Sequence, residues 1–176
     1  GKFRENVGGK DLIIRIITDI GVDGANYKAF EFHGDVHNVP VSDRLTVSNM
    51  AIEAGGKAGI FPCDDLTLEY IKDTVRGDYE AVEADPDAEY CMTLEYDLSE
   101  LEPMVAYPHL PSNGRPVREA DVTIDQAYLG SCTNGRIEDM RIAAEIVKGR
   151  RVHPGVRFLV VPASQKVYRQ MIEEGL

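Results

Sequence analysis

The sequence lacks any apolar run of the roughly 18 residues that a membrane-spanning helix needs, which excludes a helical span. Its first residues, Gly1-Lys2-Phe3-Arg4-Glu5-Asn6, carry neither an initiator Met nor an apolar signal core. The chain is therefore expected to begin inside a longer protein. It contains no GxGxxG segment and no Walker loop, so two common phosphate-binding designs are missing. Cysteine is scarce, with three in 176 residues. An odd, low count argues against a disulfide framework and for a reducing compartment, the cytoplasm. Positive charge is also short. Lys and Arg number 19 against 30 Asp and Glu, a net charge of −11. That argues against nucleic-acid backbone binding as the main task. There is no internal repeat and no low-complexity tract.

What is present suits a folded α/β protein. Apolar residues make up 43% and charged residues 28% of 19.5 kDa, enough for one domain or one domain and part of another. Apolar spacing switches between helical and strand periods. Helical spacing covers residues 11–20 (DLIIRIITDI), stopped by Gly21 and Gly24. Residues 27–32 (YKAFEF) alternate as a strand. Residues 42–54 read as a helix that starts at Ser42 or Asp43 and stops at Gly55-Gly56. Residues 57–62 read as a short strand. Residues 65–75 read as a helix with Leu66 and Tyr70 facing inward.

Between Asp78 and Glu102 there are ten Asp or Glu and no Lys or Arg, the mark of a solvated face. Inside it, Tyr90, Met92, Leu94, Tyr96 and Leu98 alternate, which predicts a half-buried strand. Residues 102–120 then lose periodicity and carry Pro103, Pro108, Pro111, Pro116 and Asn113-Gly114, which reads as a domain boundary or a long crossing loop. Beyond it, strand (123–129), helix (137–148), strand (156–161, read as buried on both faces) and helix (164–174) follow in order. The expectation is two α/β domains with at least partly parallel sheets, residues 1–103 and an incomplete 104–176.

Two segments carry candidate chemistry. Gly130-Ser131-Cys132-Thr133-Asn134-Gly135-Arg136 joins a strand end to a helix start, where open α/β sheets bind ligands. The glycines let backbone approach a bulky group, and free N–H groups at a helix start favour a thiolate. Cys132 is then a ligand, a nucleophile without a His in the local sequence, or an inert residue in a tight turn. In the second segment, Val47, Met50, Ala51 and Ala54 form one apolar stripe, and Leu45 and Ile52 another. Such a helix reads as buried, with Asn49 and Glu53 as i,i+4 neighbours beside Leu45 and Ile52. A buried carboxylate must be paired or used. The other reading is a Glu on an exposed stripe with Asn49 as a local contact. Cys63 and Cys91 have no CxxC partner. Spacings of 28 and 41 residues between cysteines support no zinc site. His33 and His37, around Gly34-Asp35, read as a solvated turn before a metal pair.

The GSCTNGR segment, followed by Glu138-Asp139-Met140, resembles the cluster-binding signature of the aconitase superfamily, with an ending like its isopropylmalate isomerase and homoaconitase branch. Further segments are similar to large subunits of that branch: residues 7–20, Val22-Asp23-Gly24-Ala25, residues 48–56 (SNMAIEAGG), residues 105–109 (VAYPH) and residues 158–164 (FLVVPAS). The resemblance implies three-layer α/β/α iron–sulfur domains and a hydro-lyase with a [4Fe–4S] cluster held by three cysteines. It implies that Cys132 is one cluster ligand, that Asn49 lies near the cluster, and that Glu53 serves as an acid–base group. It implies that Ser131, Thr133, Asn134 and Arg136 surround cluster and substrate. The substrate would be a small hydroxy acid, and a separate small subunit would supply a swivelling domain with a catalytic Ser. The family's CxxC pair and its DSHT-like segment are absent from these residues. The expectation is thus a piece of a large subunit, with no cluster and no activity by itself. Isopropylmalate and homoaconitate both remain candidate substrates, and a non-catalytic binding module on this fold is a third reading.

Overall fold

The computed structural model describes residues 1–73 and 75–176. It divides into two compact units, Gly1–Glu119 and Ala120–Leu176.

In the first unit, α1 (Gly9–Ile20) is the centre. Its run of isoleucines is buried on more than one side. Leu12, Ile13, Ile14, Ile16 and Ile17 join Val39, Val47, Met50, Ala54, Leu98 and Leu101 in a single apolar cluster. Two short parallel strands, β1 (Phe30–Glu31) and β2 (Gly59–Ile60), pair Phe30 with Gly59 and Glu31 with Ile60. Between them lies α2 (Val41–Met50), which tightens into a 3₁₀ turn over Ala51–Ala54. Gly55 ends that turn in the left-handed region at φ 81°, with its N–H on the Ile52 carbonyl.

Arg44 of α2 is almost fully buried and binds three segments together. It donates to the carbonyls of Val36 and Val39, to Thr67, and through both Nη atoms to Asp64 at 2.6 Å. Asp64 also accepts the Thr67 N–H, which caps α3 (Asp65–Ile71). The helix expected over residues 65–75 is shorter than its pattern, and Leu66 and Tyr70 are exposed rather than inward-facing. Thr74, within that expected helix, lies outside the described residues.

The strand expected over residues 90–98 does not form. The expected buried face is also only partly found: Tyr90, Met92 and Leu94 are exposed, Tyr96 is half-buried and Leu98 is buried. Met92, Leu94, Tyr96 and Leu98 line a cavity of about 220 Å³ together with Leu12 and Phe61. Side chains do the holding: Tyr90 Oη donates to Glu31 at 2.6 Å and Tyr96 Oη to Asp19 at 3.0 Å. No ladder is needed where the neighbours offer carboxylates instead of a free strand edge.

The boundary expected at Pro103 falls inside the first unit. Residues 103–119 contain an antiparallel pair, β3 (Met104–Ala106) and β4 (Gly114–Pro116), with Val105 opposite Arg115. The pair lies on α1. The Met104 N–H donates to Asp11 at 2.7 Å, and a Cβ on Gly114 would strike Thr18 and Ile14. Pro116 sits at the end of the ladder, where its missing N–H costs nothing.

The second unit is a βαβα run: β5 (Gln126–Gly130), α4 (Ile137–Val147), β6 (Arg157–Val161) and α5 (Gln165–Glu174). The strands are parallel, in register from Gln126 opposite Arg157 to Gly130 opposite Val161. Ser164 caps α5 by accepting the Val167 N–H, and Gly175 closes it. Ile137 and Met140 of α4 are buried. The burial expected for both faces of β6 is not found, since Val160 and Val161 are exposed. The α/β class follows from this alternation. Among the described residues the strands form three two-stranded sheets, two parallel and one antiparallel. No helix among them is long and apolar enough to cross a membrane.

Candidate functional site

The turn between β5 and α4 lies beyond the carboxyl end of a parallel strand, the usual ligand position in α/β sheets. Its backbone is unusual at the start. Gly130 has φ 111°, and Ser131, which carries a Cβ, has φ 93°. A non-glycine residue there is strained, and strain persists only where neighbours over-determine it. Two bonds to the end of β6 do so. The Ser131 N–H donates to the Val161 carbonyl at 2.9 Å, and the Ala163 N–H donates to the Gly135 carbonyl at 2.8 Å. Both glycines are required sterically. A Cβ on Gly130 would sit on the Val161 carbonyl, and one on Gly135 would come within 2.6 Å of the Ser131 oxygen.

The rest of the turn is held from the helix side. Arg136 is the N-cap of α4 in extended conformation, and its N–H donates to Asp139 Oδ2 at 2.9 Å. Asp139 Oδ1 accepts from the Asn134 side-chain amide at 2.6 Å. The Arg136 guanidinium donates to the Thr133 carbonyl at 2.9 Å. Ser131, Thr133, Asn134 and Arg136 are half-buried, while Cys132 is exposed at the tip of the turn. All three cysteines are free thiols. In the sequence Asp139 stands out only as part of the Glu138-Asp139-Met140 run that follows GSCTNGR. The signal for its larger part was its place three residues after the N-cap.

Asn49 and Glu53 belong to the first unit, and Ser131, Cys132, Thr133, Asn134 and Arg136 to the second. The burial expected for Glu53 and Ile52 is not found. α2 buries Arg44, Thr46, Val47 and Met50, and the 3₁₀ turn buries Ala51 and Ala54. Asn49, Ile52 and Glu53 face outward. The second apolar stripe fails because the helix changes pitch after Met50. Ile52 is left 71% exposed.

A model of the aconitase family (aconitate hydratase) matches residues 1–121 and 115–176. The chain belongs to the aconitase family. Among curated relatives, the 3-isopropylmalate dehydratase large subunit of Hydrogenobaculum sp. (strain Y04AAS1) is 54% identical over 178 residues. The proteins of the same name from Moorella thermoacetica and Lachnoclostridium phytofermentans are 52% and 56% identical. Each match covers 100% of this chain and 42% of the relative.

An aconitase-family cluster needs several thiolates on one face. Cys132 fits the part of one of them: it is exposed, in no disulfide, and at the tip of a turn whose two glycines let the backbone pack tightly beneath it. Among the described residues no group of three or more His, Cys, Asp or Glu could hold a metal ion. Cys63 and Cys91 lie in the first unit and take no part in this turn.

Proposed function

We propose that the full-length protein is the large subunit of a 3-isopropylmalate dehydratase, which interconverts 2- and 3-isopropylmalate by removing and re-adding water in leucine biosynthesis. The observation that carries this reading is 52–56% identity to proteins of that name along the whole of this chain. The partner is a small subunit that brings a swivelling domain and a catalytic Ser, and the compartment is the cytoplasm. In this reading a [4Fe–4S] cluster, when bound, supplies an electrophilic iron for the substrate's hydroxyl and carboxylate.

This chain's residues then divide the remaining work. Cys132 supplies one thiolate ligand, supported by its exposed place on a strained turn. Ser131, Thr133 and Asn134 line that turn. Arg136 keeps its guanidinium on the Thr133 carbonyl and gives the substrate's carboxylate side a positive charge. Glu53 holds or moves a proton at its carboxylate, and Asn49 beside it donates a hydrogen bond. Glu53 is exposed, so the role rests on the similarity of residues 48–56 to the family's large subunits and not on burial.

The test is the full-length subunit produced with its small subunit and assayed on isopropylmalate and on homoaconitate. Turnover of isopropylmalate is expected; turnover of homoaconitate alone overturns the substrate. Cys132→Ser should abolish the cluster absorbance, while Cys63→Ser and Cys91→Ser leave it intact. Glu53→Gln should lower turnover by on the order of 10²-fold, the range for a lost acid–base group, with little change in thermal midpoint.

A further inference from the structure

We propose that Asp139 is the positioning residue for Cys132, using one carboxylate to lock the turn that presents the thiol. The inference rests on the reading of Cys132 given above and deepens it.

Ordinary helix capping explains half of what Asp139 does. An acidic side chain at the third helical position commonly reaches back to the N-cap N–H, and Oδ2 does this at Arg136. Capping does not explain Oδ1. That oxygen accepts from the side chain of Asn134, two residues before the N-cap, at 2.6 Å. The bond reaches out of the helix into the loop. Arg136, held by the other oxygen, passes the constraint on to the Thr133 carbonyl through its guanidinium. Thr133, Asn134 and Arg136 are thus tied to one carboxylate.

On the other side of Cys132, Ser131 is pinned to β6 through its N–H and held at φ 93°. Cys132 is the exposed residue between two anchored flanks. Its direction is set by those flanks and not by burial. A strained backbone of this kind relaxes if one flank is released. The flank that a side chain controls is the one on Asp139, and hydrogen bonds to an ionised carboxylate are stronger than neutral ones.

The experiment uses the full-length large subunit and reads two quantities other than turnover. In the cluster-free protein, hydrogen exchange is followed in the peptide that contains Cys132. In the loaded protein, iron release to a chelator is timed. Asp139→Ala should speed both by about 10-fold, the weight of a lost charge-assisted hydrogen bond. Exchange in β1 and α1 should stay unchanged. Asp139→Asn should restore most of the effect, because its remaining oxygen serves the Arg136 N–H and the Asn134 amide can turn to meet its NH₂. Glu138→Ala, an exposed neighbour on the same helical turn, should change neither quantity. If Asp139→Ala does not fold, Asn134→Ala removes the loop arm alone and should speed both by about 3-fold.

Unchanged exchange at the turn in Asp139→Ala, or in Asn134→Ala if the first does not fold, overturns the lock. Faster exchange with unchanged iron release overturns its bearing on Cys132. A cluster that survives Cys132→Ser overturns the reading of Cys132 instead, and the exchange data still decide the lock.

Discussion

The two units use the same alternation of strand and helix but differ in how they close. In the first, α1 is wrapped: α2 and the β3–β4 pair both pack against it, and Leu98 and Leu101 join the same cluster. Ile13 and Ile17 are fully buried. In the second, Ile137 and Met140 are the buried apolar residues among those described, while Ile146, Tyr168 and Ile172 of the two helices stay exposed. The polar devices differ in the same way. Arg44 and Asp64 join three segments below the surface, whereas Arg141 and Glu174 join α4 to α5 in water. The first unit is thus held by burial. The second is held by backbone: the β5–β6 ladder and the bonded turn between β5 and α4. That turn carries the candidate ligand, Cys132, at its exposed tip.

The contrast predicts unequal responses to the same substitution. Ile17→Ala should cost about 3–4 kcal/mol, because a buried isoleucine loses its transfer energy and leaves a cavity. Ile172→Ala, at 62% exposure, should cost under about 0.5 kcal/mol. Hydrogen exchange resolved by peptide separates the two units. Equal costs would show that the second unit has a core of its own.

Asp64→Asn comes next, at about 2–3 kcal/mol, since it leaves the buried Arg44 guanidinium short of its anion and weakens the cap of α3. The Arg44 guanidinium holds the Asp64 carboxyl down at about 2, against an ordinary value of 3.8. A lowered folded-state value stabilises the fold above pH 3.8, and the contribution is lost as the pH falls through 2. Acid titration of the first unit should show this loss between those values, and Asp64→Asn should remove it. An unchanged acid slope in the variant would assign the acid sensitivity to other carboxylates.

The smallest effect is expected at Glu174→Gln. Arg141 grips this carboxylate with two bonds, at 2.6 and 2.7 Å, and the guanidinium holds it below its ordinary range. Both partners face water, so the loss should be slight and should vanish in high salt. A thermal midpoint that falls clearly in high salt would mean that the α4–α5 contact bears more load than its exposure suggests.

Much of this was legible beforehand, and the failures have physical causes. Two helix ends were marked by their stops, Gly21 and Gly55, because these residues act within one turn of chain, whereas the start of α2 lies at Pro40 and not at Ser42 or Asp43. The parallel β5–β6 pair was marked by the intervening helix. Residues 90–98 misled because alternation records neither a pairing partner nor a surface to bury against, and Tyr90, Met92 and Leu94 stay exposed. Residues 103–116 misled because four prolines suggested a linker, although ends and edges of short ladders accept proline. Glu53 misled because a constant helical pitch was assumed through Ala51–Ala54.

By itself the sequence determined the family, the strand–helix–strand–helix order of residues 123–174, and the glycine-flanked turn at Cys132. All of these rest on residue identity and on interactions a few positions apart. Only the tertiary structure decided that the proline-rich stretch belongs to α1, that Arg44 finds Asp64 across 20 residues, and that Ser131 is held at positive φ by Val161. Such contacts depend on which surfaces meet once the core has formed, and local pattern carries no record of the partner.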